Sequence, residues 1–185
     1  SAGVAGGGVL VGWTNTVHAR VALTNTTIAG NSMGQAFNAG GVHVTGRASL
    51  SNVTLTGNTH GLYASLGAVT LLNVVLDNPG YANCLNPTGG LQSIGGNFST
   101  DATCSPKLTG TGASVALGAL QRHGVGQYAR HPLAGSPLID AGIVCPPRDQ
   151  LGVLRGALCD SGAVEFVPPA PPPPGGAGAG SRCSG

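Results

Sequence analysis

One stretch occurs three times with its spacing held and most of its residues free to change: VALTNTTIAGN at 21–31, ASLSNVTLTGN at 48–58 and VTLLNVVLDNP at 69–79. A catalytic motif would hold reactive groups fixed. These copies hold a leucine, an asparagine and a second aliphatic residue, so what is fixed is packing geometry. In register they form three columns: Leu23, Leu50 and Leu71; Ile28, Leu55 and Leu76; Thr26, Val53 and Val74. On each side of the asparagine the apolar positions alternate with a period of two, which is the period of a strand rather than a helix. The phase slips by one at Asn25, Asn52 and Asn73, and that places a corner there. A second element recurs between the copies, GGVLV at 7–11, GGVHV at 40–44 and GLYA at 61–64, each a strand entered through glycine.

Short strands around a corner, recurring after 27 and then 21 residues, predict an all-β fold: a right-handed parallel β-helix (a β-solenoid) of about four rungs, spaced about 4.8 Å apart. The three asparagines then stack as a ladder, each amide bonded to backbone at the corner and to the amide above or below. An unpaired buried amide costs about 1–3 kcal/mol, so such a ladder gains only when it is continuous. The outward columns, Thr24, Ser51, Leu72 and Thr27, Thr54, Val75, read as a solvated sheet face. An ice-binding array would need a flat, regular lattice of threonines, which Leu72 and Val75 break.

The repeats occupy residues 1–104. Residues 105–166 read as an irregular C-terminal cap, and 167–185 as a linker or anchor tail. The tail, VPPAPPPPGGAGAGSRCSG, is a proline-rich stiff spacer followed by a glycine-rich loose one. Eight basic and six acidic residues give a net charge of +2 without any basic run, so nothing favours nucleic acid. No apolar segment reaches the roughly 20 residues that span a bilayer.

None of the five cysteines lies in a CxxC pair, which argues against zinc or a thioredoxin-like centre. Cys84 with Cys104, and Cys145 with Cys159, each enclose a loop-like segment rich in Gly, Pro, Asn and Asp. Both pairs read as disulfides, which implies an oxidising compartment: secreted, or at a bacterial cell surface. Cys183 is left over as a possible attachment point. The opening SAGVAGGG is no signal peptide and reads as the start of a processed or excised fragment.

The segment HPLAGSPLIDAGIVCPPRDQLGVLRGALCDSGAVEF from 131, together with CLNPTGGLQSIGGNFSTDATC at 84–104, resembles the end of bacterial β-helix repeat surface proteins with a choice-of-anchor Q domain, a branch of the pectin-lyase-like superfamily. The family pattern runs Cys, S-x-G-G-N, Asp and Cys. It continues with G-S-P-x-I-D-A-G, C-P-x-x-D-Q-x-G, an Arg, and C-D-x-G-A-x-E. The matches are Ser93 to Asn97, Gly135 to Gly142, Cys145 to Gly152, Arg155, and Cys159 to Glu165. Leu151 departs from it, standing where the family usually has arginine. The resemblance spans residues 20–166 and implies surface display through a C-terminal anchor, with no characterised reaction.

Six charged residues fall close together at Asp140, Arg148, Asp149, Arg155, Asp160 and Glu165. Alternating signs, prolines and a disulfide favour ion pairs and backbone hydrogen bonds that pin the cap; a calcium cage would want more carboxylates and fewer arginines. Catalysis by a polysaccharide lyase or glycoside hydrolase needs paired carboxylates, or a base with cations. Residues 1–100 hold one acid, Asp77, and two arginines, Arg20 and Arg47. His43, between Val42 and Val44, is expected to point outward in a column with Leu10 and Tyr63. His18 and His60 fall at turns without partners, and Trp13 covers an edge or stacks on a sugar. The reading is a non-catalytic extracellular bacterial surface module for display, adhesion or assembly, without cofactor or metal. Its expected partners are a second copy stacked end to end into filaments, or a cell-surface glycan or anchor. The alternative is a carbohydrate-active or carbohydrate-binding domain whose site is degenerate or missing.

Overall fold

The computed structural model describes residues 8–12, 19–33, 39–85, 90–104, 108, 112, 114–124 and 126–169. Among them are twelve strands and no helix. The first six are β1 (Val9–Val11), β2 (Arg20–Ala29), β3 (Val42–Val44), β4 (Arg47–Thr56), β5 (Leu62–Ala64) and β6 (Ala68–Leu72). The remainder are β7 (Val75–Asp77), β8 (Cys84–Leu85), β9 (Gly90–Gly95), β10 (Phe98–Ser99), β11 (Gln121–His123) and β12 (Gln127–Ala129).

The repeat columns form as the sequence requires. β2, β4 and the β6–β7 pair lie parallel, with Leu23 beside Leu50 beside Leu71, and Ile28 beside Leu55 beside Leu76. The glycine-led strands stack likewise, Leu10 beside His43 beside Tyr63. Glycine is needed at their entrance because the next strand's backbone is too close for a side chain: a Cβ on Gly41 would lie 2.3 Å from the Gly61 carbonyl oxygen. Asn25, Asn52 and Asn73 all sit in the left-handed region, at φ 49°, 53° and 54°. Asparagine reaches that region more readily than other residues with a Cβ, and one such residue turns the pleat and shifts its phase. The core lies between the two parallel sheets, where Val42, Val44, Leu50, Leu55, Leu62, Leu71 and Leu76 are at most 1% exposed. Each such side chain contributes about 1.5–3 kcal/mol on burial.

The expected right-handed β-helix of about four rungs does not hold. The parallel strands divide between a four-stranded sheet, β1-β3-β5-β8, and a six-stranded sheet built on β10-β7-β4-β6-β9 with β2 beside β4. Together these make a curled half-barrel, and β11 and β12 form a separate antiparallel pair. The repeat encodes the stacking of like strands. Closing a coil needs a further patterned wall, whereas Thr45–Gly46 and Ser65–Gly67, which join the two sheets, are bends.

The C-terminal segment also departs from expectation, because it lies along the side of the stack rather than over its last copy. It covers the column Thr27, Thr54, Val75, which is therefore no solvated face: Thr54 and Val75 are 2% and 0% exposed. Thr27 donates to Gln150 Oε1 (2.6 Å), and Thr54 Oγ1 accepts from the Ala163 amide (3.0 Å). Val75 packs with Val115 and Leu138 in a second small core.

Candidate functional site

The most elaborate chemistry in the molecule lies where this segment meets the corner asparagines. Asn25 Nδ2 donates to the Arg148 carbonyl (2.6 Å), and Asn52 Nδ2 to the Asp160 carbonyl (3.4 Å). Asn73 Nδ2 donates to the Ile143 carbonyl (2.8 Å), while its Oδ1 accepts from the Ile143 amide (2.9 Å). Both Asn52 and Asn73 also lie 3.3 Å from Cys145 Sγ. Asn73 donates to Asn52 at 3.3 Å, but no bond joins Asn25 to Asn52. The expected continuous ladder at the corner is thus broken, and the column serves mainly as a row of docking points for the C-terminal segment.

That segment is held from within by its charges. Arg155 pairs with Glu165, and donates to the carbonyls of Asp160 (3.1 Å) and Gly162 (2.9 Å) and to Asn25 Oδ1 (3.3 Å). Asp149 accepts from the amides of Leu151, Val153 and Glu165, and Asp160 from those of Asp140 and Phe166. Burial pushes the Glu165 carboxyl above its ordinary range and, with nearby Asp160, outweighs the backbone amide and Arg155. Asp140 is exposed, with φ 57°, and contributes its backbone amide. Leu151 packs against Ala129, Ala163 and Val164. Two disulfides are present, Cys84–Cys104 (Cα–Cα 5.1 Å) and Cys145–Cys159 (6.4 Å). Cys183, Trp13 and His18 lie outside the described residues.

A second asparagine ladder escaped sequence reading. Asn31 donates its backbone amide and Nδ2 to Asn58 Oδ1, both at 3.0 Å. Asn58 does the same to Asn78 Oδ1 (2.8 and 3.1 Å), and Asn78 to Asn83 Oδ1 (2.9 and 2.9 Å). Each interior member also binds the carbonyl of the preceding strand: Asn58 to Ile28, Asn78 to Leu55 and Asn83 to Leu76. Asp101 terminates the series, its carboxylate accepting the Asn83 amide (2.9 Å). Burial alone would raise the Asp101 pKa, yet hydrogen bonds from Thr103, Asn83 and Ser99 bring it below the usual range. The signal was the asparagine ending the first two copies, six residues after the corner.

Two further features stand apart from this framework. Arg20 and Arg47 are register partners on the exposed face of the six-stranded sheet, and among the described residues neither is paired with a carboxylate. They line a shallow cleft of about 230 Å³ with Ser49 and Thr70. His43, expected to point outward, is 3% exposed, with Nε2 3.3 Å from Ser65 Oγ and its ring 4.7 Å from that of Tyr63. Burial holds its pKa below the ordinary value. Asp77, the acid of the repeats, pairs with Arg130 at 3.0 Å. Among the described residues no three potential metal ligands cluster, and no helix is long and apolar enough to cross a membrane.

No family model, curated protein or solved structure matches the chain.

Proposed function

We propose that the chain is a non-catalytic extracellular module of a bacterial surface, serving display, adhesion or assembly. The observation that carries this reading is the employment of its acids. Asp77 is tied to Arg130, Asp101 to the end of a ladder, Asp149 and Asp160 to backbone amides, and Glu165 to Arg155. Asp140 alone has a side chain without such a partner among the described residues. None of the four clefts described, which range from about 230 to about 640 Å³, is lined by a carboxylate. The two disulfides accord with an oxidising location, and the likeness of the C-terminal segment to choice-of-anchor Q sequences supports surface attachment through the tail. Incubation with pectin or polygalacturonate, with and without calcium, should release no unsaturated or reducing-end products. Calcium-dependent release that is lost in Asp77→Ala would overturn the reading.

A second reading, carbohydrate binding, rests on Arg20 and Arg47. Like charges held directly opposite each other on neighbouring strands repel, and an acidic glycan lying across the strands would relieve that repulsion. Retention on an immobilised uronic-acid polymer, lost in the Arg20→Ala, Arg47→Ala double variant, is the expected sign. Equal retention of both proteins would exclude it.

A further inference from the structure

We propose that Cys145–Cys159 is an exchangeable disulfide, opened by a dithiol and held in its open form as a Cys145 thiolate by the side-chain amides of Asn52 and Asn73. The bond is then a redox-responsive clasp, whose state sets how firmly the C-terminal segment is seated.

The two disulfides sit in opposite surroundings. Cys84 and Cys104 are 3% and 0% exposed and belong to the main apolar core, where a thiolate is unfavourable. Cys145 is half-buried, and its sulfur meets amide groups: Asn52 Nδ2 and Asn73 Nδ2 both lie 3.3 Å from Sγ. Their other bonds fix these groups as donors. Asn73 Oδ1 accepts from the Ile143 amide (2.9 Å), so the group facing the sulfur is its NH2. Asn52 Oδ1 accepts from Asn73 Nδ2 (3.3 Å), which leaves the Asn52 NH2 for the sulfur and the Asp160 carbonyl. Both asparagines are 0% exposed and stand at the left-handed corner, so the donors are in place before any charge develops.

A disulfide sulfur is a weak acceptor and a thiolate a strong one; hydrogen bonds to an ionised acceptor are about twice as strong as neutral ones. The same two amides therefore favour the open state over the closed one, and a disulfide whose reduced form is stabilised is easier to reduce. Nearby charge does not oppose this. Asn52 and Asn73 are uncharged, Glu165 pairs with Arg155, and Asp149 and Asp160 accept backbone amides. Asp140 is exposed, and Arg148 and Arg155 contribute positive charge. The exchange balances. One thiolate of the dithiol attacks a sulfur of the bond and expels the other, and the second dithiol sulfur resolves the mixed disulfide. Two electrons pass to Cys145 and Cys159, and the dithiol leaves as a cyclic disulfide. Of its two protons, one ends on Cys159 and one enters solvent.

The test equilibrates the full chain with mixtures of reduced and oxidised dithiothreitol, traps thiols by alkylation and maps them by peptide mass spectrometry, which reads the two disulfides separately. Cys145–Cys159 should be half-reduced at a reduced-to-oxidised ratio at least tenfold below that for Cys84–Cys104, about 30 mV for a two-electron couple. Asn52→Ala, its fold checked by circular dichroism, identifies the cause. Loss of a donor should make Cys145–Cys159 harder to reduce, by at least about threefold in that ratio, and leave Cys84–Cys104 unmoved. A merely structural asparagine would, once lost, make the bond easier to open. In Cys159→Ser, where Cys145 is free, the pH at which its alkylation rate is half-maximal should lie at least about one unit below that of the urea-denatured protein. Equal ratios for the two disulfides, unchanged or easier reduction of Cys145–Cys159 in Asn52→Ala, or a folded midpoint at or above the denatured one would each overturn the proposal.

Discussion

Asn73 gives its side-chain amide to Asn52 and shares both of its polar atoms with the backbone of Ile143, seventy positions away. Asn25, at the same corner one copy earlier than Asn52, holds the same segment through the partly exposed Arg148 carbonyl and Arg155. Identical residues in identical backbone geometry therefore carry unequal loads.

Replacing Asn73 with leucine should destabilise the protein more than the same change at Asn25. Leaving a buried polar group unsatisfied costs about 1–3 kcal/mol, and at Asn73 the Ile143 amide and carbonyl and Asn52 Oδ1 all lose a partner. At Asn25 the Arg148 carbonyl is left where water reaches it, and Arg155 Nη2 keeps the Gly162 carbonyl as a partner. Urea unfolding of the two variants measures the difference, and equal midpoints would refute it.

Acid should loosen the protein through Asp101. Its pKa in the folded state lies below its ordinary 3.8. The stability it contributes is therefore present above the unfolded value and is lost as pH falls through the folded one. Glu165 works in the opposite sense. Its pKa is raised from 4.5, so its contribution is fully present below that value and is lost as pH rises through the folded one. Asp101→Ala should accordingly flatten the decline of melting temperature as pH falls from 3.8 through the lower folded-state value. An unchanged slope would remove Asp101 from the account.

Opening Cys145–Cys159 should release the C-terminal segment from its seat. The bond closes a separation of 14 residues, for which loop entropy gives about 3 kcal/mol. In the double Cys145→Ala, Cys159→Ala variant, exchange should accelerate around Thr54 and Val75, which that segment buries, more than around Leu50. Uniform acceleration would mean that the segment and the stack unfold together. Non-reducing peptide mapping should show Cys84 joined to Cys104 and Cys145 to Cys159; a Cys104–Cys145 peptide would contradict it.

Arg130→Ala should detach the β11–β12 hairpin. Arg130 donates to Thr56 Oγ1 (2.6 Å), Asp77 Oδ2 (3.0 Å) and the Gly118 carbonyl (2.6 Å). Hydrogen bonds to a charged group contribute about 1.5–3 kcal/mol each at most, and partial exposure reduces this. A loss of about 2 kcal/mol, with faster exchange confined to residues 121–129, is expected. A loss spread over β4 and β7 would place the role elsewhere.

Columns of like residues were legible because a parallel stack puts equivalent positions side by side: Leu23, Leu50 and Leu71 announce themselves. The corner at Asn25, Asn52 and Asn73 was legible as a slip in phase. The ladder from Asn31 to Asn83 was not, because its third member, Asn78, falls five residues after the corner instead of six, and Asn83 belongs to no copy. Nor could periodicity reveal that Thr27, Thr54 and Val75 are covered, since the covering segment is irregular and begins 40 residues beyond Val75, at Val115. Burial of His43 shows the same limit. Flanking valines fix the face a side chain leaves from, but not what lies above it.

A stack whose asparagine series ends on a carboxylate, Asp101, resists lengthening at that end. Duplicating a copy between Asn31 and Asn83 would have to preserve every bond above and below it, and duplication beyond Asn83 would meet Asp101. In a family built on this plan, the disulfide-closed part from Cys84 to Cys104 should therefore stay constant in length while the number of copies before it varies.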